Sequence, residues 1–526
     1  MNRRDFMSRL SRGTVGLLGL AAWHGHLGRD CLGSQTPSTS FGTRPTGWKP
    51  VLQNRPNILF CLADDWSWPH ASIAGDKVVK TPAFDQVARE GVLFENAFVS
   101  SPSCTPSRGA MLTGQWHWRL EEGGDLWGTL PAKFPVYPDL LEEAEYHVGF
   151  TRKGWGPGRD APGGRKRNPA GPQYKNFQEF MKARPEGKPF CFWFGSQDPH
   201  RDYKWQSGVS SGMKLQDVEV PACLPDCEEV RTDLCDYYWE IQRFDTEVGE
   251  LLTMLEERGE LDNTLVVISG DNGLPFPRCK SNLYDTGTNV PLAVRWPAAV
   301  EGGRVVEDFI SMSDLAPTFL EAAGLKPAAD MTARSFLDIL KSGKAGRVDP
   351  KRDQVLTGKE RHVPAQENDL GGYPSRAIRT HEFLYIRNFK PDRWPCGYPA
   401  GYAEPIEIDI SKPRITKFGY ADTDGSPTKS YLVKHRDDLK VHRLFELAFG
   451  KRPAEELYDL RKDPTQLENV AEKAEYAETK MKLAAALIAE LKATNDPRVL
   501  GGADVFDQYP YYGGGRPDKP PAQRTR

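Results

Sequence analysis

An excess of charge of one sign is missing from this sequence. Lys and Arg number 69 against 72 Asp and Glu, a net charge of −3. No global basic field exists to gather DNA or RNA, and a nucleic-acid partner is disfavoured. A membrane-spanning apolar run is missing as well. The apolar stretch from Thr14 to Trp23 is interrupted by glycines and falls short of the roughly 20 residues that a span needs. Paired cysteines are missing too. The nine cysteines are scattered without a Cys-x-x-Cys, which excludes zinc ribbons and thioredoxin-type motifs. No internal repeat is evident. What remains is a foldable composition of 526 residues, 39% hydrophobic and 27% charged. The length suits one large α/β domain plus a smaller one, or three of average size. The 49 glycines and 42 prolines point to many loops, where enzymes on rigid scaffolds keep their sites.

The chain opens with Arg3-Arg4-Asp5-Phe6, followed by the short apolar stretch. A twin arginine before an apolar core reads as a twin-arginine export signal over residues 1–30. Residues 31–54, rich in Gly, Ser, Thr and Pro, read as a linker. Export of this kind implies the Tat translocon as a partner, folding in the cytoplasm, and a periplasmic or secreted location. In an oxidising compartment the clustered Cys223, Cys227 and Cys235 would offer one disulfide.

Three short apolar runs then read as buried strands: Asn57 to Ala63, Phe190 to Gly195 and Thr264 to Ser269. Each ends at polar residues: Asp64-Asp65, Asp198-Pro199-His200, and Asp271-Asn272. Helical patterns lie between them, at Ala83 to Glu90 and at Tyr237 to Glu257 with Ile241, Phe244, Val248 and Leu252 on one face. Strands alternating with helices imply an α/β fold with a large, mainly parallel sheet sandwiched by helices. Sites in such sheets lie beyond the carboxyl ends of the strands, so these polar residues are expected to converge. From residue 376 the texture changes. Arg376 to Thr380 and Phe383 to Ile386 read as two strands joined by a turn, and an Ala/Glu/Lys-rich helix follows around 471–493. The organisation read here is a catalytic domain at 55–375, a smaller α+β domain at 376–495 and a loose tail at 496–526.

The sharpest signal is Cys104-Thr105-Pro106-Ser107-Arg108. It resembles the Cys-x-Pro-Ser-Arg signature of the type I, formylglycine-dependent sulfatases. Segments around Asp314-Leu315-Ala316-Pro317-Thr318 and Leu457-Tyr458-Asp459-Leu460 also look like that family. The resemblance runs from about Asn57 to beyond Pro464. It implies the alkaline phosphatase/sulfatase-like fold. It also implies that Cys104 is oxidised to formylglycine by a cytoplasmic formylglycine-generating enzyme. The hydrated aldehyde, polarised by a cation, would attack sulfur, and loss of a proton from its second hydroxyl would expel the sulfate. Chemistry demands such a cation, because one anion must attack another. Asp64, Asp65, Asp271 and Asn272, with the modified Cys104, supply hard oxygen donors suited to Ca2+, or less so Mg2+. The family precedent is calcium, one ion per site.

The remaining roles follow from the same resemblance. Arg108, one helical turn after Cys104, would share its face and hold the diol and the carboxylates. Lys153 corresponds to the sulfate-binding lysine of a Gly-Lys-x-His segment, but Trp155 stands where the histidine is expected. The base for sulfate release is therefore unassigned. His200 matches the histidine that protonates the leaving group, a task that an ordinary pKa near 6.5 suits. Lys280 aligns with a basic residue after the Asp-Asn pair, with Arg278 a close competitor. Asp271 to Pro277 with Asn282-Leu283-Tyr284, and Gln197 to Arg201, resemble the heparan N-sulfatase branch. N-sulfoglucosamine at a chain end is the first substrate class implied. O-sulfated glycans or aryl sulfates are the runner-up, and Arg165-Lys166-Arg167 is a candidate cationic rim. A phosphatase or phosphodiesterase of the same superfamily, or a non-catalytic glycan-binding protein, are the readings outside sulfatase chemistry.

Overall fold

The computed structural model describes residues 55–367, 371–399, 419–502 and 504–513. The export signal at 1–30, the linker at 31–54 and the end of the tail lie outside these residues. All the described segments belong to one unit, within Gln53–Arg526.

Asn57–Ala63 is buried at every position, because it runs through the middle of an eight-stranded sheet. Phe190–Gly195 and Thr264–Gly270 flank it, both parallel to it. His147–Arg152 pairs with Phe190–Gly195, also in parallel. Leu292–Arg295 is antiparallel to both of its neighbours, Thr264–Gly270 and Val92–Phe94. The sheet is thus mixed but mostly parallel, as the alternation of strands and helices implies. A strand buried on both faces reads as an unbroken apolar run, and its side chains still alternate between two cores. Ile58, Phe60 and Leu62 join one hydrophobic cluster, and Leu59, Cys61 and Ala63 join the other. The helix Glu228–Glu257, longer at its start than the pattern suggested, covers the second face with Leu234, Ile241, Phe244 and Val248. Tyr137–Glu143 and Leu315–Ala322 cover the first.

A second, four-stranded antiparallel sheet follows. Its order is Gln354–Lys359, Ser375–Thr380, Phe383–Asn388, Glu455–Asp459. The hairpin expected at 376–386 is its centre. Its edge strand comes from ahead of residue 376, because pairing brings Gln354–Lys359 against Ser375–Thr380, which no local texture announces. Ala477–Ala493 packs Leu487 and Leu491 onto this sheet.

Two expectations are corrected here. The segment after Asp496 is not loose over its described residues. Asp496 accepts from the Arg376 Nε at 2.6 Å, Phe506 is buried, and Arg361 donates to the carbonyls of Tyr509 and Pro510. Cys223, Cys227 and Cys235 are all free thiols. Their backbone placement separates them: Cys227 caps the Glu228–Glu257 helix, Cys235 faces Gly208 from inside it, and Cys223 lies beside Cys279.

Candidate active site

The strand ends are tied together by main chain. The N–H of Asp64 donates to the Asp198 carbonyl, and the N–H of Asp271 to that of Ala63, both at 3.0 Å. Strand register brings Leu62 level with Gly195 and Ala63 level with Gly270. Residues more than a hundred positions apart thereby meet at one carboxyl edge. Asp65 turns there with φ +75°, a left-handed conformation that non-glycine residues adopt only when their surroundings hold them. The hold is visible. The Asp65 N–H donates to Asp271 Oδ1 at 2.9 Å, and its carbonyl accepts from the Tyr237 hydroxyl at 3.0 Å.

Cys104 opens the helix Cys104–Thr113, in which every residue is buried. Pro106 sits in the first turn, where no intrahelical donor is lost. The thiol lies 3.5 Å from Asp64 Oδ1 and 3.7 Å from Asn272 Nδ2. Arg108, one turn on, reaches the same point. Its Nε donates to Asp271 Oδ2 at 2.7 Å, its Nη1 to the carbonyls of Lys153 and Gly154, and its Nη2 lies 3.6 Å from Asp64 Oδ1. Burial pushes the Cys104 thiol well above its ordinary pKa despite the pull of Lys153 and Lys280. A free thiol here is a poor nucleophile at neutral pH.

Asp64, Asp65, Cys104 and Asp271 each present a ligand atom within 4.8 Å of the others. The donor set fits a hard divalent cation. Asp65 Oδ1 and Asn272 Oδ1 are buried and have no hydrogen-bond partner, as expected of oxygens aimed at an ion. Burial, with Asp64 and Asp271 alongside, raises the Asp65 carboxyl to about 6 against the pull of Lys280 and His200. Burial alone would raise Asp64 as well. Lys153, His200, Arg108 and Lys280 outweigh it and hold that carboxyl well below the usual range.

Three cationic or protonatable groups face this cluster. Lys153 Nζ pairs with Asp64 Oδ2. Lys280 Nζ donates to Asp65 Oδ2 at 2.7 Å, and His200 Nε2 lies 3.9 Å from the same oxygen. Arg278 is elsewhere. It donates to the carbonyls of Leu447 and Gln466 and stacks 3.8 Å from the Tyr284 ring centre, so of the two it is Lys280 that reaches the cluster. All nine residues singled out in the sequence thus gather at one point. Asp64, Cys104, Lys153, His200 and Lys280 line a cleft of about 1100 Å3 whose walls include Trp127, Trp155 and Gln197, and Asp65, Arg108, Asp271 and Asn272 lie buried behind them.

Two wall residues were not anticipated. His362 is buried, and its Nδ1 lies 2.8 Å from the hydroxyl of Ser103, next to Cys104. Burial lowers its pKa to about 4, so the ring is neutral at neutral pH. Asp424 reaches Lys280 at 3.1 Å. Neither belongs to a motif, and only the tertiary fold brings them in. Trp155 supplies no replacement for the absent histidine. Its ring belongs to the hydrophobic core, and its indole nitrogen lies toward Gly109. The expected rim is also weaker than its charge suggests. Arg165 turns inward to the carbonyls of Leu130 and Phe134, and Arg167 is paired with Asp139 and Glu142.

Comparison with known proteins agrees with this geometry. The sulfatase family model matches residues 56–325, and the model for the C-terminal region of N-sulphoglucosamine sulphohydrolase matches residues 279–391. An ulvan-active sulfatase of Formosa agariphila is 27% identical over 500 residues, covering 87% of this chain and 78% of that protein. Human N-sulphoglucosamine sulphohydrolase is also 27% identical, over 503 residues, covering 86% and 93%. Among solved structures, BT4656 in complex with D-glucosamine-2-N,6-O-disulfate superposes with a TM-score of 0.56 at 18% identity, covering 84% of this chain and 99% of that one. A phosphonate monoester hydrolase from Silicibacter pomeroyi superposes with a TM-score of 0.60 at 15% identity, covering 85% and 97%.

Proposed function

The chain belongs to the sulfatase family, and from that premise we propose that it removes N-linked sulfate from glucosamine-containing glycans, using formylglycine at position 104 and Ca2+. The coarser statement, a sulfatase acting on sulfated carbohydrates, is what the family and its relatives establish. The observation that carries the formylglycine and cation chemistry is the joint placement of Cys104, four oxygen-donor side chains and Lys153, Lys280 and Arg108 at one point. A cation held by Asp64, Asp65, Asp271 and Asn272 would supply Lewis acidity and screen the repulsion between anions. Lys153 and Arg108 hold the negative groups in place, and His200 stands where it can pass a proton to the departing atom. Arg108, Asp65 and Asp271 are fully buried behind the cleft, where water does little to weaken their charges.

The preference for N-sulfate rests on the match of the C-terminal model and on the human relative. The similarity to ulvan-active sulfatases favours an O-sulfate ester as the second reading. We further propose export by the twin-arginine signal to the periplasm or beyond. Sulfate release from glucosamine N-sulfate and from 4-nitrocatechol sulfate, with and without a calcium chelator, tests the reading. Chelator-sensitive release from the N-sulfate is the expected result. Release from the aryl ester alone would move the assignment to O-sulfates. Tight glycan binding without any release would make the protein a lectin-like binder.

A further inference from the structure

Asp424 is held in place from several sides, which sets it apart from an incidental wall residue. Lys429 Nζ, buried, donates to the carbonyls of Gly419, Tyr420 and Thr423. Asp422 takes Lys359 Nζ at 2.8 Å and the N–H of Val363 at 3.0 Å. The segment 419–424 is therefore pinned over the cleft from below, and it presents one carboxylate inward. That carboxylate, a His200 ring nitrogen and an Asp65 oxygen lie within 4.8 Å of one another. The Asp424 side chain is 29% exposed, where that of Asp65 is fully buried, so it is open to a bound molecule. Lys280 Nζ, 3.1 Å away, faces it with a positive charge.

A carboxylate is out of place in a site that must bind an anion, since it repels the sulfate. It is also of no use to an ester leaving group. The ester R–O–SO3− takes up water, its O–S bond breaks, and the oxygen departs as a neutral alcohol with hydrogen sulfate as the other product. The sulfamate R–NH–SO3− differs. Its nitrogen must gain a proton before the N–S bond breaks, since an amide anion is a far worse leaving group than an amine. Water supplies the oxygen to sulfur, and the sum is R–NH–SO3− plus H2O giving R–NH3+ plus sulfate. Positive charge thus develops on the leaving atom in one reaction and not in the other. An ionised carboxylate beside His200 stabilises that charge at the point where it appears.

We propose that Asp424 is a specificity-determining residue that selects a nitrogen leaving group over an oxygen one. This rests on the reading that the cleft hydrolyses sulfated sugars. The test compares kcat/KM for glucosamine N-sulfate and glucosamine 6-O-sulfate in the full chain, in the wild type, Asp424→Asn and Asp424→Glu. Losing the Lys280 contact should lower turnover of both substrates in Asp424→Asn, but the N-sulfate should lose at least about tenfold more, and Asp424→Glu should restore the ratio to within about threefold. A second readout is inhibition by the amine product. Glucosamine should inhibit Asp424→Asn at least about tenfold less well than wild type, while inhibition by N-acetylglucosamine, which carries no charge, should follow no such change. Equal losses on both substrates, or a wild type that cleaves only the 6-O-sulfate, would overturn the proposal while leaving a sulfatase. A wild type inactive on every sulfated sugar would overturn the underlying reading and this one with it.

Discussion

At position 155 a single residue separates what the motif suggests from what the fold permits. Trp155 fills the space between the Cys104–Thr113 helix and the following loop. Its ring edge lies by Gly158, its main-chain N–H and carbonyl both engage Asn168, and it is 4% exposed. Restoring the histidine would put a smaller, polar ring among apolar neighbours. Trp155→His should therefore lower stability by about 2–3 kcal/mol, short of the cost of full truncation, and should not raise turnover. Denaturant midpoints and kcat check the two halves, and a gain in kcat would show that the imidazole reaches the reacting atoms. The same scale explains which site residues were legible. Asp64, Asp65, Asp271, Asn272 and His200 were visible because each ends an apolar run. Cys104 and Arg108 were visible through their spacing. His362 and Asp424 follow no periodic segment, and their partners, Ser103 and Lys280, are more than a hundred residues away.

At the scale of elements, the long helix Glu228–Glu257 does more than cover the sheet. From its buried face Glu240 meets Asp198, whose carbonyl anchors Asp64. Arg243 bridges the two carboxyls, at 2.6 Å from Glu240 and 3.4 Å from Asp198. Burial first, and then the neighbouring Asp198, raise the Glu240 carboxyl to about 7. The folded protein thus keeps a proton that the unfolded chain gives up near the ordinary value of 4.5. The stability this proton contributes is complete below that value and is lost as pH climbs through about 7. Glu240→Gln, which cannot ionise, should show a smaller fall in denaturant midpoint between about pH 5 and about pH 8 than the wild type. An unchanged slope would place the proton elsewhere. The helix itself was readable from its apolar face. Its extra N-terminal turns were not, since Glu228 and Glu229 resemble any solvated stretch until Cys227 is seen to cap them.

At the scale of the whole molecule, the two sheets are joined by buried charge. Arg376, in the antiparallel sheet, is fully buried and pairs with Glu360 and Asp496, each at 2.6 Å. Arg498 takes the other oxygen of Glu360, and Arg361 pairs with Asp125 of the catalytic body. Arg361 immediately precedes His362 of the cleft wall, so this network lies directly behind that wall in the chain. Arg376→Met leaves Asp496 and Glu360 buried with less compensation and should cost about 3–5 kcal/mol, read as a lowered denaturant midpoint. A loss below about 1 kcal/mol would mean that Arg498 carries the network alone. The sequence placed the main sheet because its strands are unbroken apolar runs. It left the edge strand Gln354–Lys359 and the docking of residues 496–513 unread. Both are decided by an ion pair and a hydrogen bond between residues 120 or more positions apart, or by strand pairing that leaves no local pattern.

Peptide mass spectrometry at residue 104, on a preparation whose sulfate release has been measured, reaches the centre of the account. The aldehyde would appear as a loss of about 18 Da relative to cysteine, and the modified fraction should rise and fall with specific activity, vanishing in Cys104→Ala together with turnover. Full activity from protein that carries only the unaltered thiol, or from Cys104→Ala, would contradict it.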